Sequence, residues 1–293
     1  MLSSNIGREN IILSANTDYL ASKEVVMIDQ DFKKEFEKNG FVILRGFFSE
    51  QQAQNVLETI QSSEHPNNKD RLTKGAMTFY SNIYRYSEEI QSFAAQQKIV
   101  DVFKELIGPD IWMRHDQAVA KGPGADTFPW HQDNGYNKLK DGHYQFWIAL
   151  TEMNQDNGGL WLQPGSHKQI LPHKKVGNEQ VYDGIPENPI AIAAKPGDVI
   201  IFSSFCLHST TPNITQRQRW AYVLEYMSFD YFDPFLEPPY FIIARDGKSC
   251  PEFVESYRGS NSLINRLKYN LRMDGQIKRW LRKIIKKPSS VGS

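Results

Sequence analysis

Cysteine is scarce in this chain. Its 293 residues include only two, Cys206 and Cys250, and these form neither a C-x-x-C pair nor any other framework spacing. Two cysteines in this arrangement argue against a disulfide-rich scaffold and against a cysteine zinc site. We therefore expect free thiols in a reducing compartment.

Long apolar segments are also missing. No run of about 18 apolar residues is present, which is the length that a membrane-spanning helix needs. The N-terminus from Met1 to Asn5 lacks the basic segment and the apolar core of a secretory signal. The C-terminus from Ser290 to Ser293 does not match the peroxisomal tripeptide Ser-Lys-Leu. We expect a cytoplasmic protein without an integral membrane segment.

An excess of charge of either sign is lacking too, because 34 basic residues balance 34 acidic ones. The total charge therefore gives no reason to expect a nucleic acid or a membrane as partner. With 40% apolar residues the composition is that of an ordinary globular protein. We predict an irregular lead-in at residues 1–24, one large domain at residues 25–260 and a basic helical tail at residues 261–293.

The stretch 130–133, Trp-His-Gln-Asp, carries the main chemical signal. In a β-strand the side chains alternate between faces, so His131 and Asp133 would project from the same side. The best candidate for a second histidine is His208, which follows the apolar run at residues 199–202. Two histidines and one carboxylate on one face of a metal form the facial triad of non-heme Fe(II) oxygenases, which leaves coordination positions open.

An arginine follows at the start of the next strand-like run. Arg219 opens residues 219–224 shortly after His208. A fixed guanidinium fork can bind a carboxylate through two hydrogen bonds, as a keto-acid co-substrate requires. Arg217 would share its face of the strand, but the spacing from His208 favours Arg219.

Short β-rich runs alternate with turn signals through the middle of the chain. Strands are predicted at residues 41–44, 111–121, 145–151 and 160–162. Between them, Asn157-Gly158-Gly159 is typical of a hairpin and Pro196-Gly197-Asp198 of a tight turn. This pattern favours an antiparallel β-sandwich or barrel over a parallel sheet.

Two of these strands are expected to face a central cavity. Alternation places Gln145, Trp147, Ala149 and Thr151 on one face of residues 145–151. The strand at 111–121 would deliver Gln117 to the same centre.

Helices are predicted on the outside of the sheet. Ser49 and Gln52 form a capping box before a helix with one apolar face. A single longer helix is predicted from Ser87 to Ile107, because Gly-Pro follows as a stop signal. The polar segment 64–74 is predicted to be a solvated loop, with a position over an active-site mouth as the alternative.

The order of these motifs resembles that of the phytanoyl-CoA dioxygenase (PhyH) family. The motifs are Trp-His-Gln-Asp at 130–133, Asn-Gly-Gly-Leu at 157–160, Pro-Gly-Ser-His at 164–167, Pro-Gly-Asp at 196–198, and then His208 and Arg219. The resemblance runs from about Gly40 to Tyr226. It implies a mainly β fold with flanking helices around a double-stranded β-helix, which is a cupin-like jelly roll.

The resemblance also implies a dioxygenase that uses Fe(II), 2-oxoglutarate and O2 and releases succinate and CO2. Its catalytic metal ligands would be His131, Asp133 and His208. Arg219 would bind the distal carboxylate of 2-oxoglutarate with help from the hydroxyl of Thr210. The residues that would line the co-substrate pocket are Trp147 and Gln117.

The carboxylate of the motif bears on the reaction. Halogenating relatives carry a small residue at this place, so Asp133 favours hydroxylation of an unactivated C–H bond, with desaturation or ring formation left open. The family acts on acyl-CoA thioesters, amino-acid-like solutes and specialised natural products. Because the peroxisomal tripeptide is missing, we expect a natural-product hydroxylase, with an acyl-CoA or amino-acid-like solute hydroxylase as the alternative.

Two other classes use a similar residue set. A zinc-dependent hydrolase could activate water on the same ligands, but it would not explain Arg219. A non-catalytic cupin-like binding protein would need no open coordination positions. Of the other histidines, His167 is expected to be structural, and we assign no role to His115, His143 and His173.

The C-terminal segment differs in character from the rest. Between residues 263 and 287 nine basic residues stand against one acidic residue, and apolar residues recur with a helical period. A basic amphipathic helix of this kind can lie on an anionic membrane surface or on an acidic partner. We favour a helix that packs on the barrel and exposes its basic face. The sequence does not indicate an oligomeric state.

Overall fold

The computed structural model describes residues 30–63, 70–139 and 141–265. The predicted lead-in at 1–24 lies outside the described residues, and so does most of the predicted basic tail. The α-helices within these ranges are α1 Gln30–Asn39, α2 Glu50–Ser62, α3 Glu88–Ala94, α4 Gln97–Ile107, α5 Asn134–Asn137 and α6 Arg258–Asn261.

The described part of the chain is mainly β, as predicted. Its strands are β1 Phe41–Leu44, β2 Arg71–Lys74, β3 Met77–Ser81, β4 Ile111–Lys121, β5 Phe128–His131, β6 Tyr144–Ala149, β7 Leu160–Leu162, β8 His173–Val176, β9 Glu179–Tyr182, β10 Ile190–Ile192, β11 Val199–Ser203, β12 His208–Thr210, β13 Arg219–Ser228, β14 Tyr240–Arg245 and β15 Lys248–Val254.

Two antiparallel sheets form the jelly roll. The larger has the order β1-β11-β6-β13-β4-β14-β15, with the β2–β3 hairpin joined to β4 through β3. The smaller has the order β10-β7-β12-β5, and β8 and β9 form a separate hairpin. Neighbours such as β6 and β13 are distant in sequence, so the chain crosses repeatedly between the sheets. The predicted fold class, a double-stranded β-helix with flanking helices, is confirmed.

The outer face of the large sheet is covered by helices. The predicted capping box is present, with the side chains of Ser49 and Gln52 each bonded to the other's backbone N–H at the start of α2. The single helix predicted from Ser87 to Ile107 is wrong, because the chain breaks into α3 and α4. Gln96 has extended backbone angles there, and each half buries its own apolar stripe.

A large apolar core lies between the helices and the outer face of the large sheet, and the inner faces of the two sheets meet in a second apolar cluster. Its members come from both sheets and include Trp147, Ala149, Leu160, Leu162, Ile192, Ile200 and Ala221. Inward-facing residues of packed sheets interdigitate in this way. Where this packing ends, the inner space opens into the cavity described below.

Two of the predicted connections differ from the structure. Asn157-Gly158-Gly159 does not make a hairpin, because the strands on either side, β6 and β7, belong to different sheets. The segment predicted as a solvated loop at 64–74 ends in β2, which pairs with β3. Residues 64–69 lie outside the described ranges. The β2 strand is polar and largely exposed, so it lacks the alternating apolar pattern that marks a strand in sequence.

After the jelly roll the chain forms an irregular arm, as the sequence predicts. Residues 231–239 contain neither helix nor strand. The β14–β15 hairpin, which the sequence did not indicate, then extends the large sheet beside β4. No helix among the described residues is long and apolar enough to cross a membrane.

Candidate active site

Three potential metal ligands meet at the edge of the small sheet. His131 is the last residue of β5, and it lies directly opposite His208 in β12. Alternation along one strand was predicted to place Asp133 beside His131, and this is wrong. The strand ends at His131, and Asp133 has helical backbone angles at the start of α5. The turn from strand to helix, rather than a shared strand face, brings Asp133 beside the two histidines.

The hydrogen bonds around the two imidazoles fix which nitrogens face the centre. Nδ1 of His131 lies 2.8 Å from the carbonyl oxygen of Pro129, and Nδ1 of His208 lies 3.0 Å from that of Cys206. A carbonyl oxygen can only accept, so Nδ1 carries the proton and Nε2 keeps its lone pair. The two Nε2 atoms lie 3.3 Å and 3.6 Å from Oδ1 of Asp133.

This donor set fits a transition metal. Ligand atoms of the three residues lie within 4.8 Å of one another, and both imidazoles are almost fully buried. Two neutral imidazole nitrogens and one carboxylate oxygen are the ligands of a facial triad. The carboxylate is 22% exposed, which leaves one side of the cluster open to the cavity.

The charge states also suit metal binding. Burial, helped by the neighbouring His131, lowers the pKa of His208 to about 4, so the ring is neutral at pH 7. Burial alone would raise the pKa of Asp133, but its interactions with His208 and His131 outweigh burial and lower that pKa below its ordinary value. Both groups are therefore in the protonation state that a metal ion requires.

Neighbouring glutamines hold the motif in place. Gln145 Nε2 donates to Oδ2 of Asp133 at 2.9 Å, which orients the carboxylate. Gln132, between the two ligands, points away from them and donates to the carbonyl oxygen of Gln169 at 2.9 Å. His173 accepts from the backbone N–H of Gln132 at 3.0 Å, so it supports the loop and does not join the cluster.

One cavity of about 300 Å³, called here the main cavity, brings the predicted site residues together. Every site residue predicted from the sequence lines it: Gln117, His131, Asp133, Trp147, His208, Thr210 and Arg219. Its other walls are largely aromatic and aliphatic, with contributions from Met77, Phe79, Phe128, Leu160 and Phe202.

A buried guanidinium forms one end of the main cavity. Arg219 is 2% exposed and donates from Nη2 to the carbonyl oxygen of Gly158 at 2.9 Å. Its Nε has no hydrogen-bond partner among the described residues. Burial lowers the pKa of Arg219 to about 10, so the group stays charged at pH 7. Arg217, the alternative considered from sequence, is exposed and lies outside β13.

Lys121 is a neighbour of Arg219 that the sequence interpretation missed. The two residues are directly opposite each other in the β13–β4 pair, and Lys121 is fully buried. Its Nζ donates to the hydroxyl of Thr210 at 3.0 Å and to the carbonyl oxygen of Thr211. Burial and the charge of Arg219 lower its pKa to about 7. The same alternation that pointed Gln117 inward also applies to Lys121.

The mouth of the main cavity lies between two hairpins. Lys74 of β2 forms an ion pair with Glu179 of β9. The hydroxyl of Tyr136 donates to the other carboxylate oxygen of Glu179 at 2.6 Å. All three residues line the cavity, so the end of the polar segment 64–74 lies at its opening, which was the alternative to a solvated loop.

The other histidines lie away from the triad. His167 packs beneath Gly40, where an added Cβ would lie 2.3 Å from its Nδ1, so its place is structural. His115 and His143 line a second cavity of about 270 Å³ that shares Asp133 with the main one. Their spacing in the sequence does not connect them with the site.

Known proteins of the same fold are similar to this chain. The family model for phytanoyl-CoA dioxygenase (PhyH) matches residues 36–221. A methylphosphonate hydroxylase of Gimesia maris is 27% identical over 205 residues, which cover 65% of this chain and 77% of that protein.

The chain is also similar to solved structures, among them EvdO2 and SnoN. EvdO2 from Micromonospora carbonacea var. aurantiaca, complexed with 2-oxoglutarate, has a TM-score of 0.60 and 24% identity, covering 71% of this chain and 94% of that one. The epimerase SnoN, in complex with Fe3+, alpha ketoglutarate and nogalamycin RO, has a TM-score of 0.58 and 17% identity. The match covers 75% of this chain and 95% of that one. At this identity the likeness concerns the fold.

Proposed function

The chain belongs to the phytanoyl-CoA dioxygenase (PhyH) family, and from this premise we propose that it hydroxylates an unactivated C–H bond of a small organic molecule of specialised metabolism. It is a 2-oxoglutarate-dependent non-heme iron dioxygenase, and its cofactors are Fe(II) and 2-oxoglutarate, used with O2. The proposed metal ligands are His131, Asp133 and His208. The observation that carries the assignment is that this triad and a buried arginine with a free donor line one cavity.

The bound metal and 2-oxoglutarate supply the oxidation: O2 gives one oxygen atom to the C–H bond and one to succinate, and CO2 is released. The protein holds and orients the reactants. In this proposal Arg219 binds the distal carboxylate of 2-oxoglutarate, and Thr210 completes that site with its hydroxyl. Trp147 and Gln117 form walls beside it. Lys121, which donates to Thr210, is a second basic group behind the same site.

The lining of the main cavity supports an organic substrate. Apart from the histidines, the cationic side chains that line it within the described residues are Lys74 and Arg219. Lys74 is paired with Glu179, and Arg219 is assigned to 2-oxoglutarate. A phosphonate such as the substrate named for the Gimesia maris relative, or the phosphates of an acyl-CoA, would find no unassigned cationic side chain among the described residues that line this cavity. The SnoN complex, which contains nogalamycin RO, illustrates the class of substrate that we favour.

Two other classes are less consistent with the site. A zinc hydrolase would use the same ligands but has no need for a buried, incompletely bonded Arg219 beside them. A non-catalytic cupin-like protein has no need for a metal cluster open to a cavity on one side. Neither class explains why the arginine and the triad share that cavity.

The test is to incubate the purified protein with Fe(II), 2-oxoglutarate and a metabolite panel under air. We expect succinate formation, coupled to a product that has gained the mass of one oxygen atom. A His208→Ala variant should produce neither, because it lacks one of three protein ligands. Succinate release by the variant at the wild-type rate would refute the metal assignment, and hydrolysis supported by zinc would favour the other class.

A further inference from the structure

The inner face of the large sheet changes charge along β13. Residues 219, 221, 223 and 225 of this strand point to the same side, because side chains alternate. Arg219 and Glu225 both line the main cavity. They are six residues apart, which corresponds to roughly 20 Å along an extended strand. The cavity therefore has a cationic end at Arg219 and an acidic end at Glu225.

The acidic end is a row across three strands. Glu225 is directly opposite Gln145 of β6 on one side and His115 of β4 on the other. Sequence interpretation had assigned Gln145 to the cavity face but had not singled out Glu225. Only the register of β13 between β4 and β6 shows that these side chains form one row.

The acidic end carries a net negative charge. Arg114 forms ion pairs with both Glu225 and Asp233, the second through Nε at 2.5 Å. One guanidinium is thus shared by two carboxylates. Burial lowers the pKa values of His115 and His143, so neither ring adds a positive charge at pH 7.

Glu225 is ionised in this setting. Burial alone would raise its pKa, but attraction to the Arg114 guanidinium outweighs this and lowers the pKa below its ordinary value. A desolvated negative charge that is only partly compensated favours a cation beside it.

Two acceptor atoms in this row lack donors. Oε2 of Glu225 is occupied by Arg114 and lies 3.5 Å from Nε2 of His143, while its Oε1 makes no hydrogen bond with the described residues. Oε1 of Gln145 is buried and also has no partner among them. The amide is oriented by its Nε2, which donates to Asp133. A buried acceptor without a donor, such as Oε1 of Gln145, costs free energy unless a ligand supplies an N–H or O–H group.

Glu225 stands between the main cavity and the second cavity. Asp133, Tyr136 and Glu225 line both. A group bound at the acidic end would therefore lie close to the ligand cluster and have space around it. This is where a substrate, rather than 2-oxoglutarate at the Arg219 end, would place a recognition group.

We propose that Glu225 and Gln145 bind a protonated amine of the substrate, so that the substrate class is a small molecule carrying an ammonium group. An ammonium group has three donors for the two free acceptors, and its charge balances the shared carboxylates. A carboxylate or phosphate on the substrate would be repelled from the same place. This inference rests on the proposed function, because it names the substrate class for the same cavity.

Three matched probes test the proposal: butylammonium chloride, 1-butanol and sodium butyrate. Their binding is measured by calorimetry to protein loaded with Fe(II) and 2-oxoglutarate without oxygen, at constant ionic strength. We expect butylammonium to bind more tightly than butanol by about tenfold, as expected for a charged donor to a desolvated carboxylate, and butyrate to bind more weakly than butanol. In Glu225→Gln the affinities for butylammonium and butanol should become similar.

Glu179→Gln is the matched control, because it makes the same change at another carboxylate lining the main cavity, and it should keep the ammonium preference. Equal affinities for butylammonium and butanol in the wild type overturn the proposal, even if Glu225→Gln fails to fold. A preference that survives in Glu225→Gln, or that is lost in Glu179→Gln alone, also overturns it.

The visible absorption of the Fe(II)–2-oxoglutarate chelate separates this inference from the proposed function. If the wild type lacks this absorption, the assignment of the metal and co-substrate site fails. If the absorption is present in the wild type and in Glu225→Gln but no ammonium preference is found, only the substrate class is wrong.

Discussion

At the scale of single residues, the main feature is a pair of buried basic side chains that lie side by side. Arg219 and Lys121 are opposite each other in neighbouring strands, and neither forms a salt bridge with the described residues. Their pKa values are lowered to about 10 and about 7, mainly by burial. Two such groups cost free energy in the empty protein, and a bound carboxylate would recover it. The pair is thus prepared for an anion.

The first prediction concerns Arg219→Ala. Loss of one partner of a buried charge pair costs about 2 to 5 kcal/mol, so the apparent KM for 2-oxoglutarate should rise strongly while iron affinity changes little. Arg219→Lys should restore only part of this, because one ammonium cannot reproduce the planar fork. Steady-state kinetics at varied 2-oxoglutarate provide the measurement. Arg217→Ala is the control, and a larger effect there would move the binding role to Arg217.

A second prediction uses the glycine that lies against this pair. Gly158 has φ +98°, and a Cβ there would lie 2.5 Å from Cδ of Lys121 and 3.3 Å from Nη2 of Arg219. Gly158→Ala should therefore displace both cations and raise the KM for 2-oxoglutarate, in addition to a loss of stability. Gly46→Ala is the control, because Gly46 also has a positive φ but has open space around it. An unchanged KM in Gly158→Ala would show that the two side chains adjust without loss of binding.

At the scale of elements, two hairpins frame the mouth of the main cavity. The β2–β3 hairpin and the β8–β9 hairpin are connected through Lys74 and Glu179. Both side chains are partly exposed, so the ion pair adds little to overall stability, about 1 kcal/mol or less. Its effect should instead be local, by keeping the mouth narrow and water out of the cavity.

The third prediction is that Lys74→Met uncouples the reaction. With a wider mouth, more 2-oxoglutarate should be converted to succinate for each molecule of hydroxylated product, while the Tm changes little. The control is Lys174→Met, which breaks the exposed Lys174–Asp183 pair on the β8–β9 hairpin. If both variants change the succinate-to-product ratio equally, the mouth contact has no special role.

The elements also show what the sequence can predict. The strand at Ile111–Lys121 and the capped helix α2 were predicted accurately, because alternation and capping are local properties. The sheet to which each strand belongs is not local, so Asn157-Gly158-Gly159 was mistaken for a hairpin when it crosses between sheets. The polar hairpin β2–β3 has no apolar face to reveal it.

In the candidate site, too, local motifs were predicted from the sequence and contacts between distant strands were not. His131, Asp133 and His208 were predicted together from their motif, although the strand geometry invoked for the first two was wrong. Lys121 and Glu225 were missed because their importance depends on which strand lies beside them. Only the register of β13 against β4 and β6 brings Lys121 beside Arg219 and Glu225 beside Gln145.

At the scale of the whole molecule, a buried carboxylate lies inside the large core between helices and sheet. Asp116 is fully buried, and its Oδ2 accepts from the hydroxyl of Tyr222 at 2.6 Å and from the backbone N–H of Tyr84 at 3.0 Å. Its Oδ1 has no partner among the described residues. Burial raises the pKa of Asp116 to about 7, although these hydrogen bonds oppose the shift. The folded protein therefore favours the protonated carboxyl.

This gives a global dependence of stability on pH. Between the unfolded pKa of about 4 and the folded pKa of about 7, the folded state binds a proton that the unfolded state has released. The contribution of Asp116 to the free energy of unfolding is therefore complete below pH 4 and is lost as the pH rises through 7. A shift of this size corresponds to about 4 kcal/mol at most.

The last prediction is that Asp116→Asn removes this dependence. The amide oxygen can accept both hydrogen bonds that now reach Oδ2, and the amide nitrogen takes the place of the unpartnered Oδ1. Asparagine thus resembles the protonated acid at every pH. In denaturant unfolding, wild type and variant should differ least at pH 4, and the variant should become relatively more stable as the pH rises to 8. A difference in unfolding free energy that stays constant between these pH values would mean that Asp116 is ionised in the folded protein throughout.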